Sequence, residues 1–272
     1  MPESSEYVRG RNERERRRLA LQAVVLNPLT ERLLQRAGIG PGMSVLEFGC
    51  GVGDVSLIAA RLTGPTGHVT ALDLDEQALD VARARASAEG IGWIEFRRAD
   101  LNEFEADAAF DAAIGRYILV HTKDPFEIVK KAFAALRSGG VAAFHESDFS
   151  VAHPSYPTLT ARDDSFDRIR RFMIKATHAN IGTQLCHLFL SAGFLKPDCL
   201  GEIVLDSGPD SPFYEWFAET IRSMLPRMIA AGVIAPNEFD IDTLAERLRS
   251  EAASKMACMP SPLVIGCFAR KP

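Results

Sequence analysis

The feature that most constrains this chain is a glycine-rich segment between a buried strand and a helix. Residues 44–48 predict a strand, residues 49–53 carry glycine at every second position, and residues 54–62 predict a helix. Glycine lets the backbone turn tightly and approach a ligand with no Cβ in the way. The start of the helix adds free N–H groups and the positive end of its dipole. The segment therefore predicts a loop that accepts either a dinucleotide or S-adenosylmethionine.

The spacing of the glycines favours the second ligand. A dinucleotide fingerprint follows G-x-G-x-x-G, so Gly49 and Gly51 would need a third glycine at position 54, which is Asp54. An aspartate there would face a pyrophosphate with the wrong charge, and Glu47 at the end of the strand is also unexpected for such a ligand. A cationic sulfonium that carries an amino-acid group suits both acids better.

Acidic residues also follow the next two predicted strands. Asp73 ends the second strand, about twenty residues beyond the glycines, where an acid accepts hydrogen bonds from ribose hydroxyls in doubly wound folds. Asp100 follows the third strand and can accept from an adenine amine, with Leu74 and Leu101 beside the ring. Either aspartate alone could be a helix cap or a turn residue. Three strand ends in this order predict one adenosyl site.

Strands and helices alternate through the first half of the chain, which predicts an α/β fold with a parallel sheet and helices on both faces. A helix over 12–26 is expected to restart at Asn27-Pro28. The later helices are predicted at 75–89, 124–137, 158–178, 182–192, 211–231 (interrupted at Pro226) and 240–256, and the later strands at 68–73, 92–98, 110–114, 141–146, near 199–206 and at 263–269.

Five segments of the chain resemble the class I S-adenosylmethionine-dependent methyltransferases, most closely the group of quinone-biosynthesis C-methyltransferases. They are VLEFGCGVGDVS, VTALDLD, RRADL, FDAAIGRYILVH and LRSGGVAAFHE, within roughly residues 40–150. The resemblance implies a doubly wound, Rossmann-like seven-stranded sheet whose last strand is antiparallel, with a helical cap. The order of the predicted elements divides the chain into an N-terminal helical lid over 1–40, a cofactor-binding core over 41–150, and over 151–272 the rest of the sheet with a cap insertion at 211–258.

The family's cofactor roles transfer to matching positions of this sequence. The resemblance assigns Glu47, Gly49 and Gly51 to the methionine part, Asp73 to the ribose, Leu74, Asp100 and Leu101 to the adenine, and Gly115 and Arg116 to the methionine amino group, with Cys50 in the loop and Tyr7 closing over the cofactor. Cys50 departs from the small or polar residue that is frequent there. Tyr7 could equally be a terminal residue with no role.

Candidate bases for the methyl acceptor follow the fifth strand: His145, Glu146, Asp148 and His153. His145 is the first choice because the ordinary pKa of histidine lies near neutrality. It could instead be hydrogen-bonded within the sheet and take no part in the chemistry. His121 could contact the cofactor or pack beneath it.

Composition limits the partners. The 272 residues carry a net charge of −5, so bulk charge gives no indication of a nucleic-acid or membrane partner, and six arginines among residues 9–18 are balanced in part by glutamates. Five cysteines without a CxxC pair predict reduced thiols and no metal site. With no apolar segment long enough to span a membrane, the expected location is cytoplasmic. The expected partner is an apolar or aromatic small molecule, and a homo-oligomer remains open.

The sequence thus predicts S-adenosylmethionine-dependent methyl transfer to a small molecule, by positioning and with base assistance from His145. Two alternatives keep the same cofactor site. One is cyclase-like or other chemistry that does not transfer the methyl group, and the other is cofactor binding without turnover. A nicotinamide-dependent oxidoreductase is disfavoured by Asp54.

Overall fold

A computed structural model describes residues 13–105, 107–236 and 238–272, which form two compact units. The sheet unit comprises Asn27–Val151, Thr177–Ile203 and Pro262–Pro272. The helical unit comprises the described residues up to Leu26 together with Ala152–Ala176 and Val204–Ser261. Within the described ranges, no helix combines the length and the apolarity that crossing a membrane requires.

The helices are α1 (Glu13–Arg36), α2 (Asp54–Thr63), α3 (Glu76–Ala88), α4 (Pro125–Ala135), α5 (Thr160–Ala176), α6 (Ile181–Ala192), α7 (Pro212–Ala230) and α8 (Leu244–Lys255), with a short 3₁₀ turn at Leu119–His121. The strands are β1 (Ser44–Phe48), β2 (His68–Asp73), β3 (Ile94–Arg98), β4 (Phe110–Arg116), β5 (Leu136–Asp148), β6 (Leu195–Glu202), β7 (Leu205–Asp206), β8 (Met259–Pro260) and β9 (Leu263–Arg270).

The seven strands of the sheet unit lie in the order β3-β2-β1-β4-β5-β9-β6. Strands β1 to β5 pair in parallel, and β9 runs antiparallel to both of its neighbours, β5 and β6. The predicted seven-stranded, doubly wound sheet with an antiparallel last strand is therefore confirmed. The strand order reverses between β1 and β4, and open α/β sheets bind ligands beyond the carboxyl ends of the strands at such a point.

Helices cover both faces of this sheet, which is why its central strands are buried on both sides. On one face, a Cβ at Gly266 of β9 would lie 2.7 Å from Leu33 of α1. On the other face, the rings of Phe144 in β5 and Phe189 in α6 meet edge to face with centroids 6.0 Å apart. Successive residues of a strand point to opposite faces, so Phe144 and His145 face different helices.

The helical unit is built from α5, α7 and α8 with a small antiparallel sheet of β7 and β8. Phe213, Phe217 and Met228 of α7 are buried, which favours the interpretation of its apolar stripe as core. Arg162 of α5 is buried as well, and its guanidinium donates to the carbonyls of His153 and Pro260. These contacts tie the start of α5 to the small sheet.

Four details of the predicted elements were wrong. Helices α1 and α7 continue through Pro28 and Pro226, although each proline removes an N–H donor at a cost of about 3 kcal/mol, because tertiary packing outweighs local propensity. The strand expected near 199–206 is divided between β6 and β7, which belong to different sheets. Residues 138–140, expected to be a turn, lie inside β5 at an irregularity of its pairing with β4.

Candidate functional site

The predicted cofactor residues of the sheet unit cluster at the carboxyl ends of its parallel strands. Glu47 is the second-to-last residue of β1, Asp73 ends β2, and Arg116 ends β4. Strand β1 lies between β2 and β4, so these three strand ends are neighbours at the point where the strand order reverses. The fold therefore places the acids and the glycine-rich loop at one edge of the sheet.

The glycine-rich loop is a series of left-handed turns fixed to the end of β2. Gly49, Gly51 and Gly53 have φ values of 72°, 53° and 85°, which a residue with a side chain rarely adopts. The Cys50 amide donates to the carbonyl of Leu72 at 2.8 Å, and the Gly51 amide donates to Oδ2 of Asp73 at 2.7 Å. A Cβ at Gly51 would meet no atom within 4 Å, so its backbone is open to a ligand.

The close approach of Ile118 is a further reason for glycine at two positions, Gly49 and Gly115. A Cβ at Gly49 would lie 2.5 Å from Cδ1 of Ile118, and one at Gly115 would lie 2.9 Å from Cγ2 of the same side chain. Ile118 therefore fills the space between the loop after β1 and the end of β4. No local sequence signal identifies this residue, because its role depends on two strands that meet only in the fold.

We expect Gly49→Ala to lower the free energy of unfolding by about 2–4 kcal/mol, because left-handed strain adds to overlap with Ile118. Gly51→Ala is the matched control, since it carries the same kind of strain in open space. Urea unfolding should show the smaller loss for Gly51→Ala. Adding Ile118→Ala should restore part of the stability of Gly49→Ala, and an unchanged loss in the double variant would contradict the overlap.

Glu47 is almost wholly buried, and among the described residues the hydroxyl of Ser56 in α2 donates a hydrogen bond to it. Burial raises its pKa to about 8, against the lowering influence of Ser56 and of the Arg116 charge. The carboxyl group is therefore largely protonated at neutral pH, and a cation beside it would favour its ionisation. Burial and the charges of Glu47 and Asp73 raise the pKa of Cys50, so its thiol stays protonated.

The ribose and adenine candidates have accessible polar and apolar groups. Asp73 is half-buried, and its Oδ1 accepts from the Asp75 amide at 2.9 Å. Asp100 and Leu101 are half-buried too, and Oδ1 of Asp100 accepts from the Asn102 amide at 2.8 Å, the turn contact that was the alternative interpretation. Leu74 is a large apolar side chain, and 58% of it is exposed beside the predicted ligand site. It therefore offers a surface that a flat ring could cover.

Asp54 and Arg116 form a buried ionic network at the start of α2. Oδ1 of Asp54 accepts from Arg85 at 2.7 Å, and its Oδ2 lies 3.7 Å from Nη2 of Arg116. The negative charge that disfavoured a pyrophosphate is thus paired with arginines of the protein itself. Burial lowers the pKa of Arg116, while the Asp54 carboxylate opposes this change.

His145 lies in the same buried network, through α1. Its Nδ1 is 3.0 Å from the hydroxyl of Thr30, and that hydroxyl accepts from Nη1 of Arg116 at 3.1 Å. The same guanidinium nitrogen donates to Oδ1 of Asn27 at 2.8 Å. Burial lowers the pKa of His145 to about 3, assisted by the charges of Arg116 and Arg32, so the imidazole is neutral at physiological pH. Its role as a base stays a prediction.

His145, Glu146 and Asp148 lie within β5, which ends at Asp148, so the prediction that they follow the strand was wrong. The side chains of the other candidates form hydrogen bonds with backbone groups. Oε1 of Glu146 accepts from the amides of Ile118 and Leu119 at 2.9 and 2.8 Å, so this buried carboxyl group fixes the 3₁₀ turn that ends at His121. Asp148 accepts from the Thr183 amide at the start of α6, at 2.8 Å. His153 belongs to the helical unit, where Nε2 lies 2.8 Å from the carbonyl of Ser261. Tyr7 lies outside the described residues.

Sequence reasoning missed the residues that support the site from a distance. Ser56 donates to Glu47, and Asn27 and Thr30 hold Arg116 and His145. Thr30 and His145 are 115 positions apart in the chain, so no motif connects them. Ser56 follows the glycine-rich segment closely, and its position in the first turn of α2, facing β1, is the signal that could have identified it.

Comparisons with known proteins identify the family of the chain. A family model described as a methyltransferase domain matches residues 39–201, more than half of the chain. The demethylmenaquinone methyltransferase of Lactococcus lactis is 30% identical over 137 residues, 50% of this chain and 52% of that protein. The tRNA (guanine(6)-N2)-methyltransferase of Thermus thermophilus is 46% identical over 81 residues, 30% of this chain and 24% of that protein.

Solved structures share the fold. Phosphoethanolamine N-methyltransferase 2 of Haemonchus contortus, in complex with S-adenosyl-L-methionine, superposes with a TM-score of 0.56 at 20% identity, over 90% of this chain and 52% of that one. The chain spans about half the length, or less, of the first curated relatives it matches. From the family match and the strand order, this chain belongs to the methyltransferase-domain family and has the fold of the class I S-adenosylmethionine-dependent methyltransferases.

Proposed function

We propose that this protein transfers the methyl group of S-adenosylmethionine to an apolar or aromatic small molecule. The observation that carries the proposal is the hydrogen bond of 2.7 Å between the Gly51 amide and the Asp73 carboxylate, beside the buried Glu47. This hydrogen bond joins a glycine backbone that a ligand can reach to the acid that is expected to bind the ribose. The two groups lie at the point where the strand order reverses.

The residues present fit this cofactor. Each oxygen of Asp73 accepts one backbone N–H, and a carboxylate can accept about four hydrogen bonds, so capacity is left for two ribose hydroxyls. The exposed side chain of Leu74 offers an apolar surface to the adenine ring. Glu47 offers a carboxyl group to the cationic methionine part, and the open backbone at Gly51 lets the ligand approach.

When bound, the cofactor supplies a methyl group that its sulfonium charge has already activated. The protein's part is then to position the acceptor in line with that group, which in well-aligned reactions supplies about 7–11 kcal/mol of the barrier. Asp73 and the Gly51 backbone fix the adenosyl end, and Glu47 fixes the methionine end. Glu146 holds the turn after β4, so the backbone next to Gly115 stays in one conformation.

A small acceptor is favoured over a nucleic acid. The matched Lactococcus lactis relative is named for demethylmenaquinone, a quinone. The relative named for tRNA matches over 24% of its length, and this chain has a net charge of −5, whereas nucleic-acid binding surfaces are basic. We therefore propose that the acceptor resembles a quinone or a phenol in its size and polarity.

Calorimetry tests the cofactor, and a metabolite panel tests the reaction. The folded protein should bind S-adenosylmethionine and S-adenosylhomocysteine with one-to-one stoichiometry. Incubation with phenolic and quinone-like acceptors should release S-adenosylhomocysteine and give products heavier by one methylene unit. A product of unchanged mass would favour cyclase-like chemistry, binding without release would favour a non-catalytic protein, and absence of binding would contradict the proposal.

If the imidazole removes a proton from the acceptor, His145→Ala should lower turnover at saturating cofactor, by less than the roughly 10²–10⁴-fold of a base whose pKa lies near neutrality, because burial holds the pKa of His145 at about 3. Thr30→Val is the matched control, because it removes the partner of Nδ1 and leaves the imidazole in place. Both variants should lose stability, and the His145 variant alone should lose turnover. Near-normal turnover in folded His145→Ala would remove the histidine from the chemistry and leave positioning as the protein's contribution.

A further inference from the structure

Three cysteines from three elements of the sheet unit come together on the face of the sheet covered by α6. Cys199 lies in β6, Cys267 lies in β9, and Cys186 lies in α6. Cys199 and Cys267 are paired across the two antiparallel strands, and their sulfur atoms are 2.9 Å apart. Cys186 also interacts with Cys199 through its side chain. We name these residues the thiol cluster.

The geometry of the pair suits a covalent bond between the two sulfur atoms. Residues directly opposite in an antiparallel ladder have Cα atoms about 4.5–5.5 Å apart, within the range of about 4.4–6.8 Å that disulfides span. All five cysteines of the chain are free thiols in this structure. Closing the bond between Cys199 and Cys267 requires the sulfur atoms to approach, without movement of the strands.

The environment of Cys199 makes it the reactive member. Cys199 is exposed at the edge of the sheet, whereas Cys267 is buried. The hydrogen bond between the Cys199 and Cys267 sulfur atoms lowers the pKa of Cys199 to about 7, Cys186 acts in the same direction, and partial burial and Asp198 oppose them. A thiol that is accessible and partly ionised at neutral pH is the kind that oxidants attack first.

We propose that Cys199 is an oxidation site for small hydroperoxides, and that Cys267 resolves the oxidised sulfur as a cross-strand disulfide. The Cys199 thiolate attacks one oxygen of the hydroperoxide, the O–O bond breaks, and Cys199 becomes a sulfenic acid while the hydroperoxide is reduced to hydroxide or alkoxide. The sulfur of Cys267 then attacks that of Cys199. The S–O bond breaks, and the hydroxyl leaves as water with the proton of the Cys267 thiol.

The new bond would close a loop of the chain that contains the residues from β6 to β9. That loop includes Val204–Ser261, most of the helical unit, so the bond constrains a long segment of the unfolded chain. We therefore expect the oxidised protein to unfold at a temperature several degrees above that of the reduced protein. This inference is independent of the proposed methyl transfer, because the thiol cluster lies on β6 and β9, away from the glycine-rich loop at β1 in the strand order.

The experiment exposes the full-length protein to graded hydrogen peroxide, followed by alkylation of the remaining thiols and non-reducing peptide mapping. The expected result is one linkage, between Cys199 and Cys267, with a loss of two mass units that dithiothreitol reverses. Cys186→Ser should keep the linkage, and Cys199→Ser should abolish it. Cys258 is exposed in the helical unit, so it serves as the internal reference, and Cys199 should be alkylated several-fold faster at pH 7.

Three outcomes would overturn the proposal. The first is no disulfide in the wild-type protein at peroxide levels that oxidise Cys258. The second is a linkage from Cys199 to Cys186, which would remove Cys267 as the resolving residue. The third is equal reactivity of Cys199 and Cys258. All three are read on the wild-type chain, so they hold even if the Cys199 variant fails to fold.

Discussion

Asp73→Ala is expected to weaken the binding of S-adenosylmethionine about 100-fold, the largest loss of affinity we expect from a single substitution in this protein. Two hydrogen bonds from ribose hydroxyls to a carboxylate contribute about 3 kcal/mol together, and each 1.4 kcal/mol changes the dissociation constant tenfold. The substitution also removes the acceptor of the Gly51 amide, so the glycine-rich loop keeps its hydrogen bond to the Leu72 carbonyl of β2 but loses the one to Asp73. Titration calorimetry with S-adenosylhomocysteine measures the same loss without turnover.

The matched control for this substitution is Asp75→Ala. Asp75 lies two residues further along the same loop, caps α3 through the Gln77 amide, and makes no contact with the glycine-rich loop among the hydrogen bonds of the described residues. Its replacement should cost about 1 kcal/mol of stability and leave the affinity nearly unchanged. Equal losses of affinity in the two variants would mean that Asp73 acts through the fold of the loop and not through the ribose.

The sequence predicts the sheet, and the meeting of the glycine-rich loop with Asp73 at one edge of it, from signals that are mostly local. The strand, the glycines and the start of α2 are contiguous, and each glycine with positive φ is required by the turn itself. Asp73 is predicted because parallel strands end at one edge of a sheet, so its place follows from strand order. The hydrogen bond between Asp73 and Gly51 follows from the same strand order, because β1 and β2 are neighbours and end at the same edge of the sheet.

The remainder of the site depends on long-range packing, which local patterns do not encode. From the sequence alone, His145 is expected to have the ordinary pKa of histidine. In the fold it is enclosed with Arg116 beneath α1, and its pKa falls to about 3. Pro28 predicts a helix start, yet α1 continues through it and carries Thr30 to the imidazole. The sequence leaves the role of the aromatic stripe of α7 undecided in the same way. Only the burial of these side chains in the fold distinguishes a core face from a substrate contact.

The affinity for S-adenosylmethionine is expected to rise steeply with pH, through the ionisation of Glu47. In the free protein, burial raises the pKa of this carboxyl group from 4.5 to about 8, so most molecules carry a proton there below pH 7.5. A cationic ligand beside Glu47 favours the carboxylate, so binding releases a proton. Through this group alone, the affinity then gains about tenfold per pH unit, or roughly 80-fold between pH 5.5 and 7.5.

The same shift has the opposite effect on the stability of the free protein. Glu47 holds a proton in the folded state and loses it in the unfolded state between pH 4.5 and about 8, so its contribution to stability is present below pH 4.5 and is lost as the pH rises. Ligand affinity and the stability of the free protein therefore respond to pH in opposite directions through one group. This opposition is a signature that a simple loss of folding at high or low pH would not produce.

Glu47→Gln should abolish the pH dependence of binding between pH 5.5 and 7.5, and calorimetry in buffers of different ionisation enthalpy should show the released proton in the wild-type protein alone. Glu146→Gln is the discriminating control, because burial raises the pKa of Glu146 to about 8 as well, although its oxygens accept backbone amides of the 3₁₀ turn. His145, with a pKa of about 3, does not titrate in this range. If the dependence of affinity on pH persists in Glu47→Gln and disappears in Glu146→Gln, the ionising group is Glu146, at the turn after β4. That result would contradict the placement of Glu47 at the methionine end of the site.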